Sequence, residues 1–88
     1  MSKIEHVITN PDGMHARPAG ILAGLCVKYK SDIKIIKGEK SVNAKSLLDI
    51  MGLCIKNEDK IIIEISGDDE LKAKIEIQKL LNENGDKF

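Results

Sequence analysis

The segment Lys60–Ser66, with the sequence KIIIEIS, is the strongest β-strand signal in the chain. Branched isoleucines fall on both of its alternating faces, and such residues favour extended backbone. A strand that is apolar on both faces is typical of a position with neighbours on either side. We therefore predict that this segment is the central strand of a sheet, and we assign the other elements around it.

Three further strands are predicted before the central one. Lys3–Thr9 alternates between apolar and polar residues, as a half-buried strand does. Asp32–Lys37 and a segment from Lys40 to Val42 or a little beyond are short strands, and Gly38-Glu39 between them predicts a hairpin turn. One side of the first strand carries Ile4, His6 and Ile8.

Helical spacing of apolar residues predicts three helices. The first runs from Pro18 onward, a short second helix follows Ser46 as its N-cap, and the third opens at Gly67–Asp69 and stops at Asn84-Gly85. Leu71 and Ile75 form a second stripe on the third helix, flanking the core or partly exposed. The apolar face of the first helix is predicted to be Ile21, Leu22, Leu25, Cys26 and Tyr29, and that of the third Ala73, Ile77, Leu80 and Leu81.

The resulting order is strand, helix, strand, strand, helix, strand, helix. It predicts an α+β layer structure, in which helices cover one face of an antiparallel sheet. The 88 residues contain no repeat, linker or low-complexity stretch, so we expect one domain over residues 1–88.

Composition argues against several classes of function. Fourteen basic and fourteen acidic residues cancel, and Tyr29 and Phe88 are the whole aromatic content, which disfavours nucleic-acid binding. No apolar run is long enough for a membrane span and no signal peptide precedes the first strand, which favours the cytoplasm. Cys26 and Cys54 lack metal-ligand spacing, so we expect buried or partly buried free thiols, with no metal and no cofactor.

The octapeptide Gly13–Gly20, GMHARPAG, places a histidine and an arginine where a turn becomes a helix. The preceding Asn10–Gly13 is rich in turn-forming residues, and His15 should stand just ahead of the helix. A helix N-terminus offers unpaired N–H groups to an anion, and Arg17 adds a permanent charge with a planar set of donors. Neutral imidazole is also a competent nucleophile. His15 is therefore a candidate phosphoryl acceptor.

A simpler interpretation of the same residues stays open on spacing alone. In that interpretation the His-Ala-Arg stretch only decorates a solvent-exposed turn. His6, which shares an apolar stripe, is interpreted as a hydrogen-bonded side chain at the edge of the core rather than as a second phosphoryl acceptor.

The octapeptide resembles the active-site segment of HPr, the histidine-containing phosphocarrier family of the bacterial sugar phosphotransferase system. A second stretch, Asn43–Leu48 followed by Ile50, Met51 and Leu53, resembles the family's other signature, which in many Gram-positive bacteria is centred on a regulatory serine. The two signatures together make a match over essentially the whole chain. The fold implied is an open-faced sandwich with a four-stranded antiparallel sheet covered on one face by three helices.

This resemblance implies a carrier rather than an enzyme. His15 would accept the phosphoryl group on Nδ1 from phospho-enzyme I, which obtains it from phosphoenolpyruvate, and would pass it to the A domains of enzymes II. Arg17 would stabilise the phosphoryl charge and contact these partners. The protein would act as a monomer, and its docking surface is predicted to consist of Ala16, Gly20, Leu47 and Met51.

Ser46 is the other residue to which the resemblance gives a role. Without the resemblance it is a plain N-cap, worth about 1 kcal/mol. With it, Ser46 would be phosphorylated by HPr kinase/phosphorylase, and the modified form would bind a catabolite control transcription factor. The alternative function is therefore a regulatory module that acts through phosphorylated Ser46 and has little part in sugar transport.

Several residues depart from the pattern of the family. Asp49 introduces a negative charge near Ser46, where many relatives carry a small residue. Gly20 stands where threonine or serine is frequent, and Cys54 and Glu58 replace two common glycines. These departures bear on partner affinity and turn geometry and leave the histidine chemistry intact.

Overall fold

Four strands and three helices occur in the predicted order in the structure, a computed structural model that describes residues 1–84 and 88. In chain order they are β1 (Ser2–Val7), α1 (Ala16–Cys26), β2 (Asp32–Lys37), β3 (Lys40–Asn43), α2 (Leu47–Gly52), β4 (Lys60–Ser66) and α3 (Glu70–Glu83).

The predicted boundaries of β2 and β4 are confirmed, whereas those of β1 are wrong at both ends. β1 starts one residue earlier than predicted and stops at Val7. Beyond Val7, Ile8 N still donates to Asp59 O at 2.9 Å, whereas Thr9 N donates to Phe88 O at 2.9 Å and no longer bonds to β4.

The sheet is antiparallel throughout, with the strand order β1-β4-β2-β3. β4 is central, as predicted: Ile63 pairs with Ile4 of β1 on one side and with Ile35 of β2 on the other. All three isoleucines are buried, so the core lies between this face of the sheet and the helices. The α+β sandwich predicted from the order of elements is confirmed.

The apolar face predicted from Pro18 onward is confirmed except at Ile21, since Leu25 and Tyr29 pack against the core as predicted. Leu22 and Cys26 are fully buried as predicted, but Ile21 is 38% exposed and the small residues Ala19 and Ala23 face the core instead. Apolar spacing alone does not show which neighbours of Leu22 are buried with it. Here the helix packs closely on the side of the small residues Ala19 and Ala23, and Ile21 lies on the other side. The prediction for Ile21 is wrong for this reason.

The predicted face of α3 is confirmed, since Ala73, Ile77 and Leu81 are buried and Leu80 packs against the core. The second stripe, Leu71 and Ile75, is 70% and 66% exposed. α3 is capped at its C-terminal end by Asn84, and the predicted stop at Gly85 lies outside the described residues.

His6 is half-buried, as expected for a residue at the edge of the core. Its Nε2 atom lies 3.0 Å from Phe88 O. Across the described part of the chain, no helix has the length and apolarity that crossing a bilayer requires.

Candidate functional site

Three hydrogen bonds hold the turn that precedes His15, two of them between backbone groups and one to the side chain of Asn10. Asn10 Oδ1 accepts from Asp12 N at 2.9 Å, and Gly13 N donates to Asn10 O at 2.9 Å. Met14 N then donates to Ile55 O at 3.0 Å, and the Met14 side chain is buried in the core. The residue immediately before His15 is therefore fixed to the loop that joins α2 to β4.

Gly13 meets two constraints that only glycine satisfies. Its φ is +70°, in the left-handed region that disfavours L side chains. A Cβ atom at this position would also lie 2.9 Å from Cα of Lys56, closer than non-bonded carbon atoms approach. The turn can therefore rest directly on the backbone of the neighbouring loop.

His15 is the N-cap residue of α1. Its backbone is extended, with φ −88° and ψ −166°, and its carbonyl oxygen accepts the first helical hydrogen bond from Ala19 N at 3.0 Å. The side chain is exposed and makes no capping hydrogen bond. Both ring nitrogens are thus left to react or to bind rather than to hold the helix.

The first turn of α1 favours an anion beside the imidazole. The N–H groups of Ala16 and Arg17 have no partner within the helix, and Pro18 has no N–H at all. The first turn contains no acidic residue that would compete for these donors. The positive end of the helix dipole is therefore directed at the space around His15.

Arg17 is exposed and occupies the second position of α1. Its guanidinium forms no ion pair with any residue among 1–84 and 88. Only Ala16 separates it from His15 in the sequence, and His15 and Arg17 both lie at the start of α1. Its donors are thereby available to a charged group bound there or to an acidic partner.

Ser46 is confirmed as the N-cap of α2. Its Oγ accepts a hydrogen bond from Asp49 N at 3.2 Å, and its carbonyl oxygen accepts one from Ile50 N at 3.1 Å. The side chain is half-buried, and Asp49 places a carboxylate in the first turn of the same helix. α2 packs against α1, the helix that begins at His15.

The residues predicted to form a docking surface lie on these two helices. Ala16 is exposed and Gly20 half-buried, while Leu47 and Met51 are 38% and 41% exposed. Leu48, which the prediction did not include, is more exposed than either at 79%. Ile50 is the one member of α2 that is buried, and its burial turns the other apolar side chains of this helix toward solvent.

The two cysteines differ in environment, and only one prediction for them is confirmed. Cys26 is a buried free thiol, and burial raises its pKa to about 12, so it stays protonated and is not a nucleophile. Cys54 is free but exposed, contrary to expectation. It follows the C-cap of α2, where the chain turns away from the core before Ile55 is buried.

The comparison with protein families agrees with this geometry. A family model described as the PTS HPr component phosphorylation site matches residues 2–83. The chain belongs to the HPr family. It is therefore a phosphocarrier protein of the phosphotransferase system, as the two signatures predicted.

Individual HPr proteins match over nearly their whole length. The chain is 40% identical over 85 residues to the phosphocarrier protein HPr of Mycoplasma pneumoniae, covering 96% of this chain and 97% of the relative. It is 41% identical over 86 residues to that of Mycoplasma genitalium, with coverages of 96% and 97%.

Solved HPr structures share the fold. A Mycoplasma histidine-containing phosphocarrier protein superposes with a TM-score of 0.92 at 36% identity, covering 96% of each chain. HPr-C-His from Thermoanaerobacter tengcongensis has a TM-score of 0.86 at 35% identity, covering 98% of this chain and 96% of that one.

Cys54 and Glu58, in the loop between α2 and β4, have left-handed backbone. Cys54 has φ +53° and Glu58 has φ +75°, and they are the non-glycine residues with positive φ among residues 1–84 and 88. An L side chain in this conformation costs about 1–2 kcal/mol. The loop between α2 and β4 is consequently strained at two points.

Substituting glycine at these points is expected to stabilise the protein. Cys54→Gly and Glu58→Gly should each raise the free energy of unfolding by about 0.5–1 kcal/mol, because the relief of strain exceeds the entropy cost of glycine. Urea denaturation measures the change. Lys56→Gly, in the same loop but without a positive φ, is the matched control and should lower the free energy of unfolding. Equal effects of all three substitutions would contradict this account of the strain.

Proposed function

We propose that His15 is the residue that carries the phosphoryl group, accepting it on Nδ1 from phospho-enzyme I and donating it to the A domains of enzymes II. The observation that carries the proposal is the exposed imidazole of His15 at the N-terminus of α1, with Arg17 two residues away and no acidic residue in the first helical turn.

The transfer needs only simple chemistry from this chain. The lone pair of neutral Nδ1 forms a bond to phosphorus as the bond between phosphorus and its donor group on enzyme I breaks. In the second transfer, the acceptor group on enzyme II forms a bond to phosphorus as the bond between phosphorus and Nδ1 breaks. The N–H groups of Ala16 and Arg17, together with the guanidinium, stabilise the negative charge on the phosphoryl oxygens.

Docking is assigned to exposed and half-buried small or apolar residues on α1 and α2. Ala16 and Gly20 on α1 and Leu47 and Met51 on α2 form this docking surface, and we add Leu48 because of its exposure. A small apolar surface with one arginine at its edge suits brief complexes, since each complex must dissociate after transfer. We infer that the carrier works as a monomer of one domain in the cytoplasm.

Ser46 is proposed as the regulatory site. Its support is its position at the start of α2, between Lys45 and the docking residues Leu47 and Leu48. A phosphate there would add a charge of about −2 at pH 7 and would oppose docking to acidic partners. Asp49 already places one negative charge on the same helix. HPr kinase/phosphorylase would install the group, and a catabolite control transcription factor would read it.

One labelling experiment separates the carrier from a purely regulatory module. The protein is incubated with enzyme I and phosphoenolpyruvate, or with HPr kinase/phosphorylase and ATP, and the modified residue is mapped by mass spectrometry at neutral pH. We expect enzyme I to label His15 and the kinase to label Ser46. Labelling by the kinase alone would contradict the carrier role and favour the regulatory module.

A further inference from the structure

The ammonium group of Lys37 lies at the C-terminal end of α2 and contacts three oxygen atoms. Its Nζ is 3.2 Å from Leu53 O, 2.9 Å from Cys54 O and 3.0 Å from Oδ2 of Asp59. The two carbonyl groups belong to the C-cap residue of α2 and to the residue after it, near the negative end of the helix dipole, which favours a cation. The ammonium group of Lys37 thus links the two ends of the segment 53–59.

Asp59 holds the same loop from its other end. Its Oδ2 also accepts a hydrogen bond from Lys56 N at 2.8 Å. This hydrogen bond first, and Lys37 second, hold the pKa of Asp59 below its usual range, so the carboxylate is ionised at neutral pH. The side chains of Lys37 and Asp59 are each 30% exposed, which shields the pair partly from water.

The turn that precedes His15 packs against this same loop. Ile55 O accepts the hydrogen bond from Met14 N, and Gly13 rests on the backbone of Ile55 and Lys56. The loop does not hold its shape by local preference, because Cys54 and Glu58 are strained within it. Contacts from outside must therefore hold it: Leu53 and Ile55 are buried in the core, the backbone of Ile8 bonds to residues 58 and 59, and Lys37 on β2 supplies the side-chain contacts.

We propose that Lys37 and Asp59 are positioning residues for phosphoryl transfer, which hold loop 53–59 against the Gly13–Met14 turn and so set the position of His15. The proposal rests on the assignment of His15 as the acceptor. Neither residue touches the phosphoryl group. Their effect is on geometry, and a displacement of about 1 Å can slow a transfer step by about 100-fold.

Lys37→Met tests the proposal, since methionine keeps most of the apolar stem and removes the ammonium group. We expect kcat for phosphorylation by enzyme I to fall by about 10-fold with KM nearly unchanged, because the docking residues on α1 and α2 are left intact. Hydrogen exchange of the Met14 amide should accelerate by about 10-fold, while that of Ile63 in β4 changes less. Lys37→Arg should restore both quantities, because its guanidinium donates to the same oxygens.

Lys3→Met is the matched control. It removes the Lys3–Glu64 ion pair, 3.4 Å long, from the two strands β1 and β4 without touching loop 53–59, and it should change neither kcat nor Met14 exchange. The proposal is overturned if Lys37→Met leaves kcat and Met14 exchange as in the wild type, or if Met14 and Ile63 exchange accelerate equally. Hydrogen exchange of the Met14 amide does not depend on phosphoryl transfer. It therefore still tests whether Lys37 and Asp59 hold loop 53–59 against the turn if His15 proves not to be the acceptor.

Discussion

His15→Ala is expected to abolish phosphorylation by enzyme I and phosphoenolpyruvate, leaving no acid-labile label on the protein. The substitution removes the nucleophile, and His6, the other histidine of the sequence, lies in β1 rather than at a helix N-terminus. The folded state should be unaffected, because the imidazole is exposed and makes no capping hydrogen bond. Autoradiography after a fixed incubation measures the label, and circular dichroism verifies the fold.

His6→Gln is the matched control for the loss of a histidine. His6 lies in β1, before the turn that precedes His15, and its Nε2 atom is 3.0 Å from Phe88 O. Glutamine retains a donor for that contact. This variant should be labelled as fast as the wild type. Undiminished labelling of His15→Ala, or loss of label in His6→Gln alone, would contradict the assignment of the acceptor.

Gly13→Ala is expected to have the largest effect on stability of the substitutions considered near the site. Its side chain meets both a left-handed backbone and the main chain of Lys56, so the turn must move away from the loop. The free energy of unfolding should fall by roughly 1–3 kcal/mol. For a domain of this size each kcal/mol lowers Tm by about 4–8 °C. Transfer to His15 should also slow, because Met14 N is pulled from Ile55 O.

Gly24→Ala makes a suitable comparison because it adds the same methyl group in α1. A Cβ atom there has no neighbour within 4 Å, and alanine favours helix, so this variant should gain about 0.5–1 kcal/mol of stability. Thermal and urea unfolding of both variants measure the contrast. A Gly13→Ala protein as stable as the wild type would show that the turn does not rest on the loop as described.

The positions of the strands along the chain followed from sequence because their signal is local. The isoleucines of Lys60–Ser66 predicted the central strand, and Gly38-Glu39 predicted the hairpin between β2 and β3. The burial of Ala19 and Ala23 rather than Ile21 on α1 did not follow, because it arises from close approach of neighbouring elements, which apolar spacing does not report. Ile21 was misassigned for that reason.

Part of the candidate site could also be predicted from local sequence. Ser46 as an N-cap follows from the preference of serine for that position, and the exposure of Leu47 and Met51 follows from the brevity of α2. The contacts that position the site could not be predicted from sequence. Lys37 is 16 positions from Leu53 in the chain, and nothing in its sequence neighbours indicates that it bonds to the carbonyl groups that follow α2. Tertiary contacts of this kind join residues through space, so no local pattern predicts them.

The central claim is that a phosphoryl group resides on Nδ1 of His15. Correlation of the imidazole nitrogens with ring protons by NMR, before and after phosphorylation by enzyme I, observes that atom directly. We predict that phosphorus is attached to Nδ1 of His15 and that the His6 ring is unmodified. A phosphoryl group found on His6, on Ser46 or on any other residue after treatment with enzyme I would contradict the account.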